Sequence, residues 1–294
     1  MNEISNAILE PGYFKLDGGA MFGIIPKPLW NKVAPSDELN RIDLALRLWL
    51  IQTNTRVIVI DTGIGDYHGD KFDQRFDVRN QNSPLIKVLA ELDLKPSDVT
   101  DLVLSHLHFD HVGGIGHKNA EGQMVPVFES ATLHLHKQHY EYSLNPTDRD
   151  TGSFHVEDFL PIIKHYQNAN QIQWLEGRTG DILELENGEI LRFKSSMGHT
   201  PHLIHPYTSK YIYLADLIPT SNHVSIPWVM GYDIAPGVTT EDKKEFLPFI
   251  HDHNLTIIFE HDPLYWGASI VRDEKGQYKV GQAFSKKESA GYRL

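Results

Sequence analysis

Short apolar bursts, most of them only four to eight residues long, dominate this chain and predict strands more often than long helices. Leu44 to Ile51 and Val57 to Ile60 flank the turn-like Thr53-Asn54-Thr55, which predicts a β-hairpin closed by Asp61-Thr62-Gly63. Ser83-Pro84 then opens a helix, with Ser83 as N-cap, Pro84 in the first turn, and Leu85, Val88, Leu89 and Leu92 as its buried stripe. A short segment, Lys95 to Val99, leads into the apolar run Leu102-Val103-Leu104. From about 136 to 171 the pattern turns helical and aromatic-rich. Strands follow until Thr239, whose hydroxyl, with Glu241 and Asp242 nearby, predicts a helix running towards Pro248. No repeat, low-complexity tract or Ser/Gly-rich linker divides the chain. The expectation is one domain over 1–294, with a helical insert at about 136–171 and an α/β (α+β) architecture.

Composition narrows the class of protein. A chain of 294 residues can bury a large core as one unit. No apolar run approaches the roughly 20 residues of a membrane-spanning helix. Met1-Asn2-Glu3-Ile4-Ser5 lacks the basic region and apolar stretch of a secretory signal, so a cytoplasmic location with no membrane partner is expected. Cysteine is absent, which removes disulfides and thiolate ligands. A formal net charge of −12 argues against a nucleic-acid partner, because a phosphate backbone needs a basic surface.

The densest chemistry lies in Ser105-His106-Leu107-His108-Phe109-Asp110-His111-Val112-Gly113-Gly114. A strand delivering His106 and His108 at i and i+2 aims both imidazoles to one side, and Asp110 and His111 follow in a turn that the glycines allow to bend closely. Imidazole and carboxylate are natural ligands of zinc and similar divalent ions. Four of them so close exceed what one catalytic ion with an open position needs, so the spacing suggests two adjacent metals.

This H-x-H-x-D-H pattern resembles the metallo-β-lactamase superfamily. Further segments match in the family's order: Gly198-His199-Thr200-Pro201 after the strand-like Ile190 to Lys194, Asp216 after Tyr211-Ile212-Tyr213-Leu214, and His261 after Thr256-Ile257-Ile258-Phe259. The resemblance implies a four-layer αββα sandwich with the site at one edge. It also implies that His106, His108 and His199 hold one metal, that Asp110, His111 and His261 hold the second, and that Asp216 bridges them. Two zinc ions are the first expectation, with manganese, iron or cobalt also compatible with the ligands. A water shared between the ions would lose its proton and attack a lactone or ester carbonyl, with Asp110 as the catalytic carboxylate orienting it or passing a proton to the leaving group. Asp61, at a strand end, either accepts the free N–H of a ligand imidazole or caps the turn before Gly63.

Absences refine the resemblance. His108 stands where a flavodiiron-type redox site would carry Glu, and the missing cysteine excludes the Cys-ligand β-lactamases. The segment from Leu16 to Trp30, together with Asp216-Leu217-Ile218-Pro219-Thr220, resembles quorum-quenching lactonases and their methyl-parathion-hydrolase-like relatives. That resemblance implies an N-acyl homoserine lactone substrate, with phosphotriester or thioester hydrolysis as alternatives. A metal-binding interaction protein on the same fold is the alternative outside enzymes. Met21, Phe22, Ile24, Trp30 and Trp228 form a candidate apolar entrance for an acyl chain, and the same residues suit ordinary core or a homodimer contact. His202, which replaces the family's Gly after His-Thr-Pro, and His223 are further pocket candidates. Many acyl-homoserine lactonases carry a Tyr shortly after the bridging Asp. Leu217 to Thr220 occupy those positions here, leaving Tyr232 and Tyr265 as substitutes.

The other histidines read as structural. His134, His136 and His139 form a second dense group in a strand-to-helix transition, where hydrogen-bonded roles are the better reading. His251 and His253 suit the negative end of a helix. Lys286-Lys287-Glu288 reads as part of a solvated tail.

Overall fold

The computed structural model describes residues 4–80 and 83–294; the opening Met1-Asn2-Glu3, used above to argue against a signal, lies outside them. Its strands form two large sheets. The first runs in the order Gly291–Arg293, Ser5–Asp17, Arg41–Gln52, Val57–Ile60, Asp101–Val103, Thr132–His136, Ile172–Leu175, with Arg79–Asn80 paired to Ser5–Asp17 off this path. The second runs Thr179–Glu184, Ile190–Ser196, Leu203–Tyr207, Tyr211–Tyr213, Thr256–Ile258, Tyr265–Arg272, Tyr278–Ser285.

Period-two alternation decides which side chain enters which layer. From Val57–Ile60, Ile58 and Ile60 join Trp49, Ile51 and Val103 against Leu191, Phe193, Ile204, Tyr213 and Ile258 of the other sheet, forming the core between the sheets. Val57 and Val59 point the opposite way, with Leu48, Leu50 and Leu102, onto Leu85, Val88 and Leu89 of helix Pro84–Ala90 and Phe159, Ile162 and Ile163 of helix Val156–Asn168. On the far side, Ile212, Leu214, Ile257 and Phe259 pack on Phe246, Leu247 and Ile250 of helix Pro236–Asp252. The layers are therefore helix, sheet, sheet, helix: the αββα sandwich.

Several elements differ from their expected form. Strand Ser5–Asp17 had no counterpart in the sequence pattern and runs through Pro11-Gly12; the register shifts between Leu9 and Gly12, where a bulge absorbs Glu10 and Pro11 and Gly12 is paired again. Helix Pro236–Asp252 starts three residues before Thr239, with Pro236 in its first turn, and continues through Pro248. Ser83 precedes its helix without a side-chain capping bond. Lys286, Lys287 and Glu288 are exposed, but they lead into strand Gly291–Arg293, which pairs with Ser5–Asp17 at the edge of the first sheet. Helices Lys137–Ser143 and Val156–Asn168 occupy the segment read as helical. Among the described residues, no helix is long and apolar enough to cross a membrane.

The topology also fixes where chemistry can gather. Val57–Ile60 and Asp101–Val103 are parallel in one sheet, and Tyr211–Tyr213 and Thr256–Ile258 are parallel in the other. Parallel neighbours end on the same edge. Asp61, the run from Ser105, Asp216 and His261 all follow those four ends.

Candidate metal centre

The strand before the His-rich run ends at Val103, so His106 and His108 are presented by the loop beyond it. Asp110 and His111 lie on the one-turn helix Phe109–Val112. Two glycines then let this loop lie against the first hairpin's closing segment. A Cβ on Gly113 would stand 2.2 Å from the Ile64 carbonyl oxygen, and one on Gly114 2.2 Å from that of Thr62. Thr62 secures the contact by donating its N–H and hydroxyl to the His111 carbonyl, at 2.8 and 2.9 Å.

All seven residues expected as metal ligands come together, and each is at least 94 % buried. They fall into two groups, His106, His108, His199 and Asp216, and Asp110, His111 and His261, within each of which ligand-type atoms lie within 4.8 Å of one another. Asp216 faces both. Its Oδ2 is 3.2 Å from His199 Nε2 and 3.5 Å from His111 Nε2, and its Oδ1 is 3.2 Å from His261 Nε2. Asp110 Oδ2 stands 3.6 Å from His261 Nε2 and 3.9 Å from His111 Nε2.

Four of the rings are held from behind, while His108 Nδ1 lies 3.1 Å from His199 Nε2 inside the site. His199 Nδ1 lies 2.9 Å from Asp233 Oδ1, and His261 Nδ1 donates to the Ala45 carbonyl at 2.8 Å. His111 Nδ1 faces Asp61 Oδ2 at 3.1 Å and Glu260 Oε2 at 2.9 Å. Asp61 takes the position expected of an acceptor behind an imidazole. It also accepts from Ser105, at 2.7 Å from the N–H and 2.6 Å from the hydroxyl, and that hydroxyl lies 3.0 Å from His106 Nδ1. Asp233, Glu260 and Ser105 were not picked out from the sequence. Glu260 and Ser105 adjoin expected ligands and could have been suspected, whereas Asp233, in a loop 34 residues from His199, carries no local signal.

Charge in this pocket is strongly redistributed. Burial and the neighbouring imidazoles push His106 and His108 well below the ordinary histidine range. Burial opposes a proton on His199 and His261 as well, yet Asp216 beside each lifts both to about 9. Burial pushes Glu260 up to about 7, with His111 opposing. Among the described residues, the buried Nε2 atoms of His106, His108, His111 and His261 and Oδ1 of Asp216 have no hydrogen-bond partner. With Nδ1 engaged behind the rings of His111 and His261, their Nε2 atoms converge with carboxylate oxygens on the same space, where protons or metal ions must supply positive charge. Converging buried lone pairs and negative charge are costly without a cation among them. The donor set therefore fits divalent metal ions.

The second histidine group does not converge. His134 Nε2 lies 2.9 Å from Asp101 Oδ1, and His136 Nε2 donates to the Gly177 carbonyl at 3.0 Å. His139 Nε2 accepts from the Leu107 N–H at 2.9 Å while Nδ1 donates to the Pro201 carbonyl at 2.8 Å, tying the His-rich loop to the loop carrying His199.

The pocket candidates scatter as well. Met21, Phe22 and Trp30 are buried in a cluster with Phe14, Ile42, Leu44 and Phe109, against which Trp228 and Tyr232 are partly buried. Ile24 is 84 % exposed. His223 is buried, stacked on Phe22 at 4.9 Å, with Nε2 donating to the Met21 carbonyl at 2.8 Å. His202 stacks on His136 at 4.8 Å and has φ +61°, the left-handed region that favours glycine. Of the two tyrosines, Tyr232 lies within electrostatic reach of Asp110, whereas Tyr265 lines a separate cleft with Phe22, Ala34, Ser221, Asp262 and Leu264.

Comparison with known proteins agrees with this geometry. The family profile described as metallo-beta-lactamase superfamily matches residues 48–261. The N-acyl homoserine lactonase AiiB of Rhizobium rhizogenes is 34 % identical over 299 residues, covering 92 % of this chain and 98 % of that protein. A probable metal-dependent hydrolase from Staphylococcus aureus superposes with a TM-score of 0.82 at 26 % identity, covering 97 % of each chain. AidC, a dizinc quorum-quenching lactonase solved with a product, shares the fold with a TM-score of 0.69 at 22 % identity, over 97 % of this chain and 95 % of that one.

Proposed function

Because the chain belongs to the metallo-beta-lactamase superfamily, within which it is a metal-dependent hydrolase, we propose that it is a dinuclear hydrolase opening the lactone ring of N-acyl homoserine lactones. The observation that carries the dinuclear reading is Asp216, which lies within 3.5 Å of rings from both groups, His199 of one and His111 and His261 of the other. His106, His108 and His199 would hold one ion, and Asp110, His111 and His261 the other, with Asp216 shared. Zinc suits these nitrogen and oxygen donors, and manganese, iron or cobalt would also be accepted. Bound there, two divalent ions would acidify a water and polarise the scissile carbonyl.

The chain's own residues account for the rest. Asp233, Ala45, Asp61 and Glu260 fix the tautomers and planes of the ligand rings, so the site is organised before substrate arrives. Phe154, packed edge-on to His108 at 4.6 Å, limits water on that side. Hydrolysis joins a water oxygen to the carbonyl carbon and breaks the ring ester C–O bond. Asp110 takes a proton from that water and returns it to the departing alkoxide, so acid and base roles fall to one carboxylate. Tyr232, which lies within electrostatic reach of Asp110, is the hydroxyl proposed for the lactone carbonyl in place of Leu217 to Thr220.

The acyl chain requires a correction to the expected entrance. Met21, Phe22 and Trp30 are too buried to receive it without moving, which leaves the partly buried Trp228 and the exposed Ile24 as the entrance residues an acyl chain can reach. The test is a hydrolysis panel on metal-analysed protein: acyl homoserine lactones of several chain lengths, a phosphotriester and a thioester. Lactone turnover that rises with chain length is expected. A protein replete in metal but inactive on the lactones would overturn the substrate assignment. Asp110→Asn should lower kcat by about 10²- to 10⁴-fold while the protein stays folded.

A further inference from the structure

Outside this centre, three more ligand-type side chains converge. His68 lies in the loop after strand Val57–Ile60, and His155 and Asp158 lie at the start of helix Val156–Asn168. His68 Nδ1 is 3.9 Å and His155 Nδ1 3.7 Å from the same oxygen, Asp158 Oδ2. One ligand atom from each residue lies within 4.8 Å of the other two.

The decisive contact is on the far side of His68. Its Nε2 donates to the Ile64 carbonyl at 2.8 Å, which places the ring proton there and leaves Nδ1 as a lone pair directed at the carboxylate. A lone pair facing a carboxylate oxygen is repulsive unless a cation stands between them. An imidazole whose outer N–H is held by a backbone carbonyl is also how metal-binding histidines are commonly oriented. Water screens the contact little, since the side chains of His68 and Asp158 are only 6 % and 17 % exposed. A second proton on His68 is the competing solution, and burial lowers the affinity of this ring for it.

Packing holds the rings in place. Phe72 stacks on His68 at 4.1 Å, and Phe109 stacks on His155 at 5.2 Å. Asp73 adds negative charge near His68.

We propose that His68, His155 and Asp158 form a third metal site, taking a zinc-like divalent ion through two imidazole nitrogens and one carboxylate and leaving its remaining positions to water. The ion clamps the loop after the first hairpin to helix Val156–Asn168. Phe109 lies against this clamp and sits between His108 and Asp110 in the chain, so the clamp steadies the rim of the main centre without contributing to it.

Zinc itself is the probe. Wild type, Asp158→Asn and His155→Gln are equilibrated at one fixed free zinc concentration, checked for fold by circular dichroism, and their bound zinc is counted by mass spectrometry. Wild type should hold one zinc per chain more than either variant, whatever the occupancy of the main centre. Equal zinc in all three proteins overturns the site. Loss of more than one equivalent in both variants also overturns it, since the cluster would then merely support the main centre.

Discussion

Two groups of histidines in this chain are similarly dense in sequence and similarly buried, yet only one converges with carboxylates into a candidate metal centre. His106, His108 and His111 turn their unpaired Nε2 atoms towards shared space, joined from other strand ends by His199, Asp216 and His261. His134, His136 and His139 each spend a nitrogen on a different partner, Asp101, Gly177 and Pro201. Histidine density is therefore a poor criterion. What separates the groups is where the free nitrogens point: His134 and His136 also keep a buried Nδ1 unpaired among the described residues, but only in the first group do such nitrogens gather with carboxylates in one space.

The sharpest way to break this contrast is to remove the residue on which the first group converges. Asp216→Asn keeps the shape but removes the shared negative charge. Bound metal should fall, and kcat/KM on the best lactone should drop on the order of 10³-fold, the several kcal/mol that metal-assisted charge stabilisation typically supplies. Metal analysis beside steady-state kinetics checks this. Unchanged metal content would mean that Asp216 only lines the pocket.

The same contrast explains what the sequence could reveal. The seven converging residues were legible because each follows a β-type run and four lie within six positions, so local spacing already carried their geometry. Two sheets with outer helices followed once the family resemblance joined those runs. Asp233 and the tie made by His139 were not legible, because their partners are set by how loops meet across the sandwich, 34 and 32 residues away along the chain. Strand Ser5–Asp17 was hidden for a local reason: Pro11-Gly12 signals a break, and only pairing on both sides shows that a bulge at Glu10 and Pro11 lets the strand continue.

Asp233 allows the supporting half of the contrast to be tested alone. Asp233→Asn leaves His199 in place but removes the charge behind Nδ1. Metal affinity should fall by about 10- to 100-fold, with a smaller effect on kcat once the metal is saturating. Chelator competition measures the affinity. If it does not change, the carboxylate behind His199 does not orient that ring for a metal.

The second group makes the complementary prediction, a loss of stability without direct loss of a ligand. His139→Leu fills most of the ring's space but leaves the Leu107 N–H and Pro201 carbonyl unpaired in the interior. Stability should fall by about 2–3 kcal/mol in urea unfolding, while metal remains bound at neutral pH. Acid provides a further check. Burial holds His139 at about 3 against an ordinary 6.5, so below pH 6.5 the unfolded wild type binds a proton that the folded protein refuses. Wild type therefore loses stability as pH falls from 6.5 towards 3, a loss that His139→Leu does not share through this ring. The stability gap between the two should narrow across that window.

His202 sits where the groups meet, two residues from Thr200 in the His199 loop and stacked on His136 of the second group, and it should give the smallest effect. Its φ of +61° is strained for a side chain, and the family places Gly here. His202→Gly removes that strain, worth about 1 kcal/mol, but gives up the stacking and adds freedom to the unfolded chain. The two nearly cancel, so the urea midpoint should correspond to a change within about 1 kcal/mol. The more informative reading is kinetic. If the ring belongs to the second group, as its stacking on His136 indicates, KM for the lactone and the metal content stay at wild-type values. A raised KM with unchanged kcat would place His202 in the substrate pocket instead, and would show that a ring stacked away from the converging lone pairs can still serve the site from its wall.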